Sequence, residues 1–245
     1  SQGGVLTAFE FSEALAYLDD HANYHKTGRI ESPSLEVIAA YCAAMGDPQH
    51  AAPVIHVTGT NGKGSTAQMI SRLLVASGLT VGPSTSLHLE TVNERMMRNL
   101  EPITDEEFAE QISAIADLEP VVGLRPSYFE IMTAAAYRWF ADVAVDVMVV
   151  EVGLLGRWDA TNVADARVAV ISNFGMDHTE VAGPTLEHTA REKPGNINAQ
   201  SAVIVGETRP ELVAIFRDEG GTTSLVRGDD FAATSNTLAV GGRLL

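Results

Sequence analysis

The stretch Val54-Ile-His-Val-Thr-Gly-Thr-Asn-Gly-Lys-Gly-Ser-Thr66 decides the fold class of this chain. Its first four residues lean apolar and are typical of a buried strand, whereas an amphipathic run that predicts a helix opens at Ser65 and Thr66. Between the two, three glycines let backbone N–H groups approach an anion, the helix end adds about half a positive charge, and Lys63 adds a whole one. The stretch therefore predicts a nucleotide triphosphate site.

The predicted phosphate cradle is a compact variant of the common P-loop, G-x-x-x-x-G-K-[ST]. The residue five positions before Gly62 is Val57 rather than glycine, and Gly64 separates Lys63 from Ser65. Glycine-rich turns also follow strands in α/β proteins that bind no phosphate, but the preceding strand, the following helix and the lysine together favour phosphate binding. Lys63 is a catalytic candidate as well as a ligand. The residues predicted to bind the nucleotide are Gly59, Thr60, Asn61, Gly62, Lys63, Gly64, Ser65 and Thr66.

The composition argues against several classes of partner. The 245 residues include 32 acidic and 16 basic ones, and the resulting net charge of −16 repels nucleic acid and anionic membrane surfaces. No apolar run approaches the roughly 20 residues of a membrane span. The one cysteine, Cys42, fits a reducing cytoplasm, and its helical context favours a core residue over a reactive thiol. We expect a cytoplasmic monomer that acts on small molecules, with no nucleic-acid partner and no membrane partner.

Predicted strands and helices alternate along the chain. Apolar runs predict strands at residues 54–57, 79–85, 145–150, 168–171 and 202–205, and helical spacing predicts helices at 9–18, 34–45, 65–77, 108–118 and 129–140. This alternation predicts an α/β fold with a mostly parallel sheet flanked by helices. We expect residues 1–50 to be N-terminal helices packed on the core, and residues 51–245 to form the P-loop domain, ending in the start of a small β element.

Three further segments follow the carboxyl ends of predicted strands, where a parallel sheet places ligand-binding loops. They span residues 84–95, 151–162 and 173–178, and Arg191-Glu-Lys193 comes after the last of them. Glu151 ends a strand, and a carboxylate that faces Lys63 there suits magnesium, which prefers oxygen ligands and nucleotide phosphates. A structural ion pair between Glu151 and Arg157 is the alternative interpretation.

Five signatures in this order and spacing resemble the folylpolyglutamate synthase/dihydrofolate synthase family of the Mur ligase superfamily. They are GTNGKGS at 59–65, TS-x-HL…NER at 85–95, FE-x-x-T-A-A-A at 129–136, D-x-x-V-V-E-V-G-L-x-G-R-x-D-A-T-N at 146–162 and D-H…REK at 177–193. The resemblance runs from about Phe9 to Leu245 and covers the N-terminal, ATP-binding domain of that family. Only two predicted helices precede the P-loop, which favours the folate branch over other Mur ligases.

The resemblance implies an ATP-dependent ligase that joins L-glutamate to dihydropteroate or to a folyl-(poly)glutamate. ATP would phosphorylate the acid, and the amine of glutamate would then attack the acyl phosphate. In the family a smaller C-terminal lobe follows, and we expect it to be missing from a chain that ends at Leu245. Two alternatives stay open: a catalytically degenerate nucleotide- or folate-binding module, and a ligase for another acid and amino acid.

The resemblance also implies roles for individual residues. Lys63 would hold the β- and γ-phosphates, Ser86 and Glu151 would bind one magnesium ion, and His178 would bind a second one that Glu151 bridges. Lys193 matches the family lysine that CO₂ converts to a carbamate. The implied catalytic set is Lys63, Glu151, His178 and Lys193. The implied substrate-binding residues are Ser86, His88, Arg95, Phe129, Asp159 and Ala160, of which Phe129, Asp159 and Ala160 fall where the family holds the pterin.

Simpler interpretations exist for several of these residues. His178 follows an aspartate and suits a helix-capping neighbourhood, Lys193 alone would be a solvated lysine, and Phe129 suits a plain core position. The chain also departs from the family pattern at Leu87, where a proline is usual, at Leu155, where a glycine is usual, and at Pro194. Pro194 lacks a backbone donor and pushes the preceding Lys193 out of helical geometry, so it bears on the second metal site.

Overall fold

The computed structural model of the chain describes residues 8–22, 34–153, 157–173, 195, 197–218, 220–233, 238–241 and 243–244. Its helices are α1 (Phe11–His21), α2 (Glu36–Ala44), α3 (Lys63–Ala76), α4 (Asp105–Val122), α5 (Tyr128–Asp142) and α6 (Pro210–Asp218). Its strands are β1 (Val54–Thr58), β2 (Val81–Ser84), β3 (Met97–Arg98), β4 (Glu101–Pro102), β5 (Val147–Glu151), β6 (Ala166–Ile171), β7 (Ala202–Val205), β8 (Thr223–Val226), β9 (Phe231–Ala233), β10 (Leu238–Val240) and β11 (Arg243–Leu244).

Six of these strands form one sheet in the order β2-β5-β1-β6-β7-β8, and every pairing in it is parallel. The strand that precedes the P-loop, β1, therefore lies in the middle, between β5 and β6. Its last residues pair with the last residues of both neighbours: Val57 with Glu151, and Thr58 with Ile171. The carboxyl ends of three strands thus meet at one edge, as the sequence predicted for the ligand-binding loops.

Helices cover both faces of this sheet, and β5 shows how the two faces are separated. Met148 and Val150 point into a large core cluster that includes buried residues of α1, α2, α4 and α5. Val147 and Val149 point to the opposite face and pack with Ala67 of α3. The alternation follows the two-residue period of a strand buried on both sides. A third cluster packs α6 against β6, β7 and β8.

The predicted fold class is confirmed, and the predicted elements are present with shifted bounds. The helix predicted at 108–118 spans Asp105–Val122, since the Thr104–Glu107 capping box starts it directly. Helix α6 and strand β8 were not predicted. The expected β element after residue 237 is observed as β10, which pairs antiparallel with β9 and β11. The division into residues 1–50 and 51–245 stays a prediction. In the described part of the chain, no helix combines the length and apolar character needed to cross a membrane.

Candidate active site

The predicted phosphate cradle is formed by the turn between β1 and α3. Gly59 has a φ of 140° and Gly62, which precedes the first residue of α3, has a φ of 77°, so both adopt backbone conformations that favour glycine. A Cβ added at Gly59 would collide with Ser172 Oγ on the neighbouring strand end. The backbone conformations at Gly59 and Gly62, and the collision at Gly59, explain why both positions are glycine.

The turn is held by Ser172 and Asn173, which follow β6. The Thr60 N–H donates to the Asn173 carbonyl at 2.8 Å, and the Asn61 N–H donates to Asn173 Oδ1 at 2.9 Å. Ser172 Oγ donates to the Asn61 carbonyl at 2.8 Å. The N–H groups of Thr60 and Asn61 are therefore engaged by the protein, whereas the first N–H groups of α3 have no partner within the helix. The sequence placed Asn173 at the start of a predicted ligand-binding loop without giving it a role of its own, and it gave no signal for Ser172.

Glu151 lies opposite the first turn of α3. It ends β5, is 8% exposed, and its Oε2 accepts a hydrogen bond from the Ser86 N–H at 3.1 Å. A Cβ added at Gly64 would lie 3.6 Å from the same oxygen, so the carboxylate faces the cradle. Lys63 is half-buried, with its Nζ 3.4 Å from the Thr60 carbonyl. The ion pairs among the described residues do not include one between Glu151 and Arg157.

Phe129 and Asp159 converge from two different elements. Phe129 lies in the first turn of α5, which Ser127 and Glu130 cap, and Asp159 directly precedes a short 3₁₀ helix. A Cβ added at Gly153 would lie 2.6 Å from Phe129 Cζ and 3.1 Å from Asp159 Oδ2, so the ring and the carboxylate share this corner. Asp159 is 5% exposed. The space between the ring and the carboxylate is too small for a Cβ, so position 153 requires glycine.

A surface cavity joins the two halves of the site. Glu151 from the nucleotide side and Phe129 from the second corner both line it, together with Arg95. The complete lining is Ser84, Thr85, Arg95, Phe129, Met132, Thr133, Glu151 and Thr161. The structure therefore places a buried carboxylate, a guanidinium and an aromatic ring around one opening.

The segment 85–95 forms a loop beside this cavity. Glu94 accepts the N–H groups of Leu89, Glu90 and Thr91 at 2.7, 2.9 and 3.0 Å, and these bonds lower the pKa of its carboxyl. Arg95 Nε donates to His88 Nδ1 at 3.0 Å, and the guanidinium lies 5.3 Å from the centre of the Tyr128 ring. Two of the three predicted substrate residues of this loop, His88 and Arg95, are thus in contact with each other.

Comparison with known proteins shows which family the chain belongs to. No family model matches the chain. The dihydrofolate synthase/folylpolyglutamate synthase of Mycobacterium tuberculosis is 36% identical over 236 residues, which are 87% of this chain and 48% of that protein. The enzyme of the same name from Bacillus subtilis is 37% identical over 212 residues, 83% of this chain and 49% of that protein.

Solved structures agree with the sequence relatives. Escherichia coli FolC in complex with DHPP and ADP has a TM-score of 0.87 and 30% identity, with 97% of this chain and 57% of that one covered. M. tuberculosis folylpolyglutamate synthase complexed with ADP has a TM-score of 0.84 and 32% identity, with 93% and 52% covered. The chain belongs to the folylpolyglutamate synthase/dihydrofolate synthase family. It spans about half the length of the curated relatives it matches.

The remaining family positions divide into described and undescribed ones. Ala160 is buried in the core cluster beside Asp159, and Leu87 is 75% exposed, with its carbonyl accepting the Thr85 hydroxyl. The predicted metal ligand His178 and the predicted carbamate Lys193 lie outside the described residues, as do Leu155 and Pro194. Among the residues that are described, no group of three or more His, Cys, Asp or Glu side chains is placed to hold a metal ion.

Proposed function

We propose that this folylpolyglutamate synthase/dihydrofolate synthase family member is the ATP-binding part of a ligase that joins L-glutamate to dihydropteroate or a folyl-(poly)glutamate. The observation that carries the proposal is the shared opening, in which Glu151 beside the phosphate cradle and Phe129 beside Asp159 line one cavity. An acyl phosphate requires the γ-phosphate and the acid to meet, and a cavity lined by both Glu151 and Phe129 supports such a meeting.

The phosphate cradle supports ATP as the phosphoryl donor. The N-terminal N–H groups of α3 and the cation of Lys63 would hold the phosphates, and Ser65 and Thr66 lie in the same first turn. Thr66 Oγ1 donates to the Gly62 carbonyl at 2.7 Å, which closes the turn. Relatives of known structure bind ADP and AMPPCP, as their names state.

Glu151 and Ser86 fit a magnesium ion bound to the nucleotide. The carboxylate is buried at a strand end, is oriented by the Ser86 N–H and faces the cradle, and carboxylate and hydroxyl oxygens are the ligands that magnesium prefers. The ion would neutralise phosphate charge during transfer. We extend the proposal to a second ion at His178 and a carbamate at Lys193, on the resemblance alone.

The corner of Phe129, Asp159 and Ala160 supports recognition of the pterin. A carboxylate oxygen accepts hydrogen bonds from an amino-pyrimidine edge, and an aromatic ring packs on the face of a flat heterocycle. Arg95 lines the cavity and contacts His88, and the two would bind the rest of the acid. The carboxylate of the acid would attack the γ-phosphorus, ADP would leave, and the glutamate amine would then displace phosphate through a tetrahedral intermediate.

The proposal includes a cytoplasmic, monomeric enzyme with small-molecule substrates. The net charge of −16 supports this, because it disfavours nucleic acid and anionic membranes as partners. The lone Cys42 is buried, which fits a protein that needs no disulfide.

A coupled assay for ADP tests the proposed reaction on the protein from its native source, after its intact mass has been measured. We expect ADP release only when ATP, L-glutamate and dihydropteroate or a folyl-glutamate are all present. Lys63→Ala should lower kcat/KM by about a hundredfold or more. Arg72→Ala, which removes an exposed cation from the same helix, should leave it unchanged.

Three results would contradict the proposal in different ways. ADP release that ignores the acid would indicate a simple ATPase. Nucleotide binding without acid-dependent turnover would favour the degenerate binding module. Turnover with an acid that lacks the pterin, and none with dihydropteroate or folates, would favour a ligase for another substrate.

A further inference from the structure

A buried histidine lies in the middle of the strand that leads to the phosphate cradle. His56 of β1 is 0% exposed, and it alternates with Ile55 and Val57, which pack on the other face of the sheet. Burial lowers the pKa of His56 to about 4, so the ring is neutral at physiological pH. The proposed reaction does not use this side chain directly.

A chain of hydrogen bonds connects His56 to the candidate pterin corner. His56 Nε2 lies 2.7 Å from Thr161 Oγ1, and Thr161 Oγ1 lies 2.5 Å from Asp159 Oδ1. Because Asp159 accepts, the Thr161 hydroxyl donates to it, and the same hydroxyl oxygen must accept from His56. The ring therefore carries its proton on Nε2, while Nδ1 has no partner within the described part of the chain.

These bonds fix the orientation of the Asp159 carboxylate. Oδ1 receives the Thr161 hydroxyl and also the Thr161 N–H, the latter at 3.1 Å. Oδ2 is the oxygen that faces the Gly153 corner beside Phe129. The backbone of Thr161 is itself held, because the Tyr137 hydroxyl donates to its carbonyl at 2.8 Å. Oδ1 is thus anchored to Thr161, whereas Oδ2 lies on the side of Gly153 and Phe129.

We propose that His56 and Thr161 are positioning residues for the acid substrate. They hold Asp159 in the orientation that recognises the amino-pyrimidine edge, and they tie that carboxylate to the strand that carries the phosphate cradle. This inference rests on the proposed function, since it assigns a role to the neighbours of the proposed pterin ligand. A neutral His56 suits the role, because the hydrogen bond to Thr161 needs one donor nitrogen on the ring and no charge.

Paired substitutions in the full-length protein test the inference. Thr161→Val removes the hydroxyl at nearly constant shape, and Thr161→Ser keeps it. We expect Thr161→Val to raise the KM for dihydropteroate or folyl-glutamate by about tenfold or more, with the KM for ATP within about twofold of wild type. Thr161→Ser should stay close to wild type in both. His56→Leu should behave as Thr161→Val, and His56→Gln, which retains a donor, should recover much of the loss.

Ser201→Ala is the matched control for loss of a buried hydroxyl. Ser201 is 0% exposed and donates to the Ala166 carbonyl at 2.7 Å, away from the cavity. It should lower the melting temperature without changing the ratio of the two KM values. Thermal unfolding with and without ADP shows whether each variant is folded and still binds nucleotide.

The outcomes separate the inference from the proposed function. Wild-type protein that turns over neither acid would overturn the function and the inference with it. An active wild type whose KM for the acid is unchanged by Thr161→Val would overturn the inference alone. The inference alone would also be overturned if Thr161→Val raised the KM values for the acid and for ATP equally. It would likewise be overturned if the KM for the acid were as high in His56→Gln as in His56→Leu.

Discussion

Gly59 shows how strictly one residue of the phosphate cradle is determined. Its φ of 140° disfavours any side chain, and a Cβ there would also collide with Ser172 Oγ. We expect Gly59→Ala to weaken ADP binding by more than about tenfold, because the turn must move away from Asn173. Isothermal titration with ADP measures this.

Gly78 provides the comparison for Gly59→Ala. It has a φ of 88° at the end of α3, and a Cβ there would meet nothing within 4 Å. Gly78→Ala therefore carries backbone strain without a collision, and ADP affinity should survive it. Equal affinities in the two variants would show that contact with Ser172 does not shape the cradle.

His56 should make the protein sensitive to acid. Its pKa falls from 6.5 to about 4 on folding, so above pH 6.5 the ring is neutral in both states and no stability depends on it. As the pH falls from 6.5 towards 4, the unfolded chain gains a proton that the folded chain does not, and about 3 kcal/mol is lost. His56→Gln has no titrating group at this position. The difference between its free energy of unfolding and that of the wild type should therefore shrink by the same amount between pH 6.5 and pH 4.

Urea unfolding of both proteins at several pH values measures this difference. Other titrating groups contribute equally to both proteins and cancel. Parallel pH profiles would mean that folding does not lower the pKa of His56, and the argument for a neutral ring bonded to Thr161 would fail.

Residues differ in how far the sequence alone could identify them. The cradle glycines and Lys63 could be proposed from the sequence because the signal is local: a strand, a turn and a helix end within 13 positions. Asn173 was placed in a predicted ligand-binding loop, but its bond to Asn61 was not predicted, since that bond spans 112 positions and depends on β6 lying beside β1. Asp159 was proposed through resemblance, whereas its link to His56 required the packed structure.

At the scale of elements, local sequence patterns predicted individual helices and strands, but they did not predict which strands lie side by side. The Thr104–Glu107 capping box starts α4 at Asp105 with both reciprocal bonds present, three residues before the start that helical spacing predicted. Helix α6 was missed, although Leu212, Val213 and Phe216 have helical spacing and all three are buried. Nothing local could show that β1 lies between β5 and β6, because strand order is set by packing across the whole sheet.

The attachment of α1 to α4 gives a prediction at this scale. Glu119 of α4 accepts the Tyr17 hydroxyl at 2.6 Å and lies 3.2 Å from His21 Nε2, and His21 is 3% exposed. Glu119→Ala leaves both groups without this acceptor, so we expect a loss of about 2–3 kcal/mol in the free energy of unfolding. Glu110→Ala, at an exposed position of the same helix, should change it by less than about 0.5 kcal/mol.

Chemical denaturation of the two variants tests the attachment. Equal midpoints would mean that water satisfies Tyr17 and His21 after the substitution, and that α1 is held by its apolar contacts alone. Ala14 and Leu18, both buried in the core cluster, would then account for its packing.

At the scale of the molecule, the alternation of strands and helices was enough to predict a parallel sheet covered on both faces. The two faces differ in a way that the sequence did not reveal. One face carries a continuous core that joins α1, α2, α4 and α5 to β1 and β5, so the N-terminal helices share their interior with the strands of the site. Opening that core would disturb the Glu151 strand as well.

Cys42 reports on this shared core, and it is the single cysteine of the chain. It is 0% exposed on α2, and burial, with a smaller effect of Asp47, raises the pKa of its thiol to about 12. A neutral, buried thiol reacts only when the core opens.

We expect alkylation by iodoacetamide to be negligible in native buffer, and its rate to rise with urea in step with the loss of tertiary structure. Added ADP should slow it further, because a ligand that binds only the folded state stabilises it by about 2.7 kcal/mol at a hundredfold excess over Kd. Fast labelling that ignores both urea and ADP would show that α2 opens by itself, and the core around the site would then consist of two independent parts.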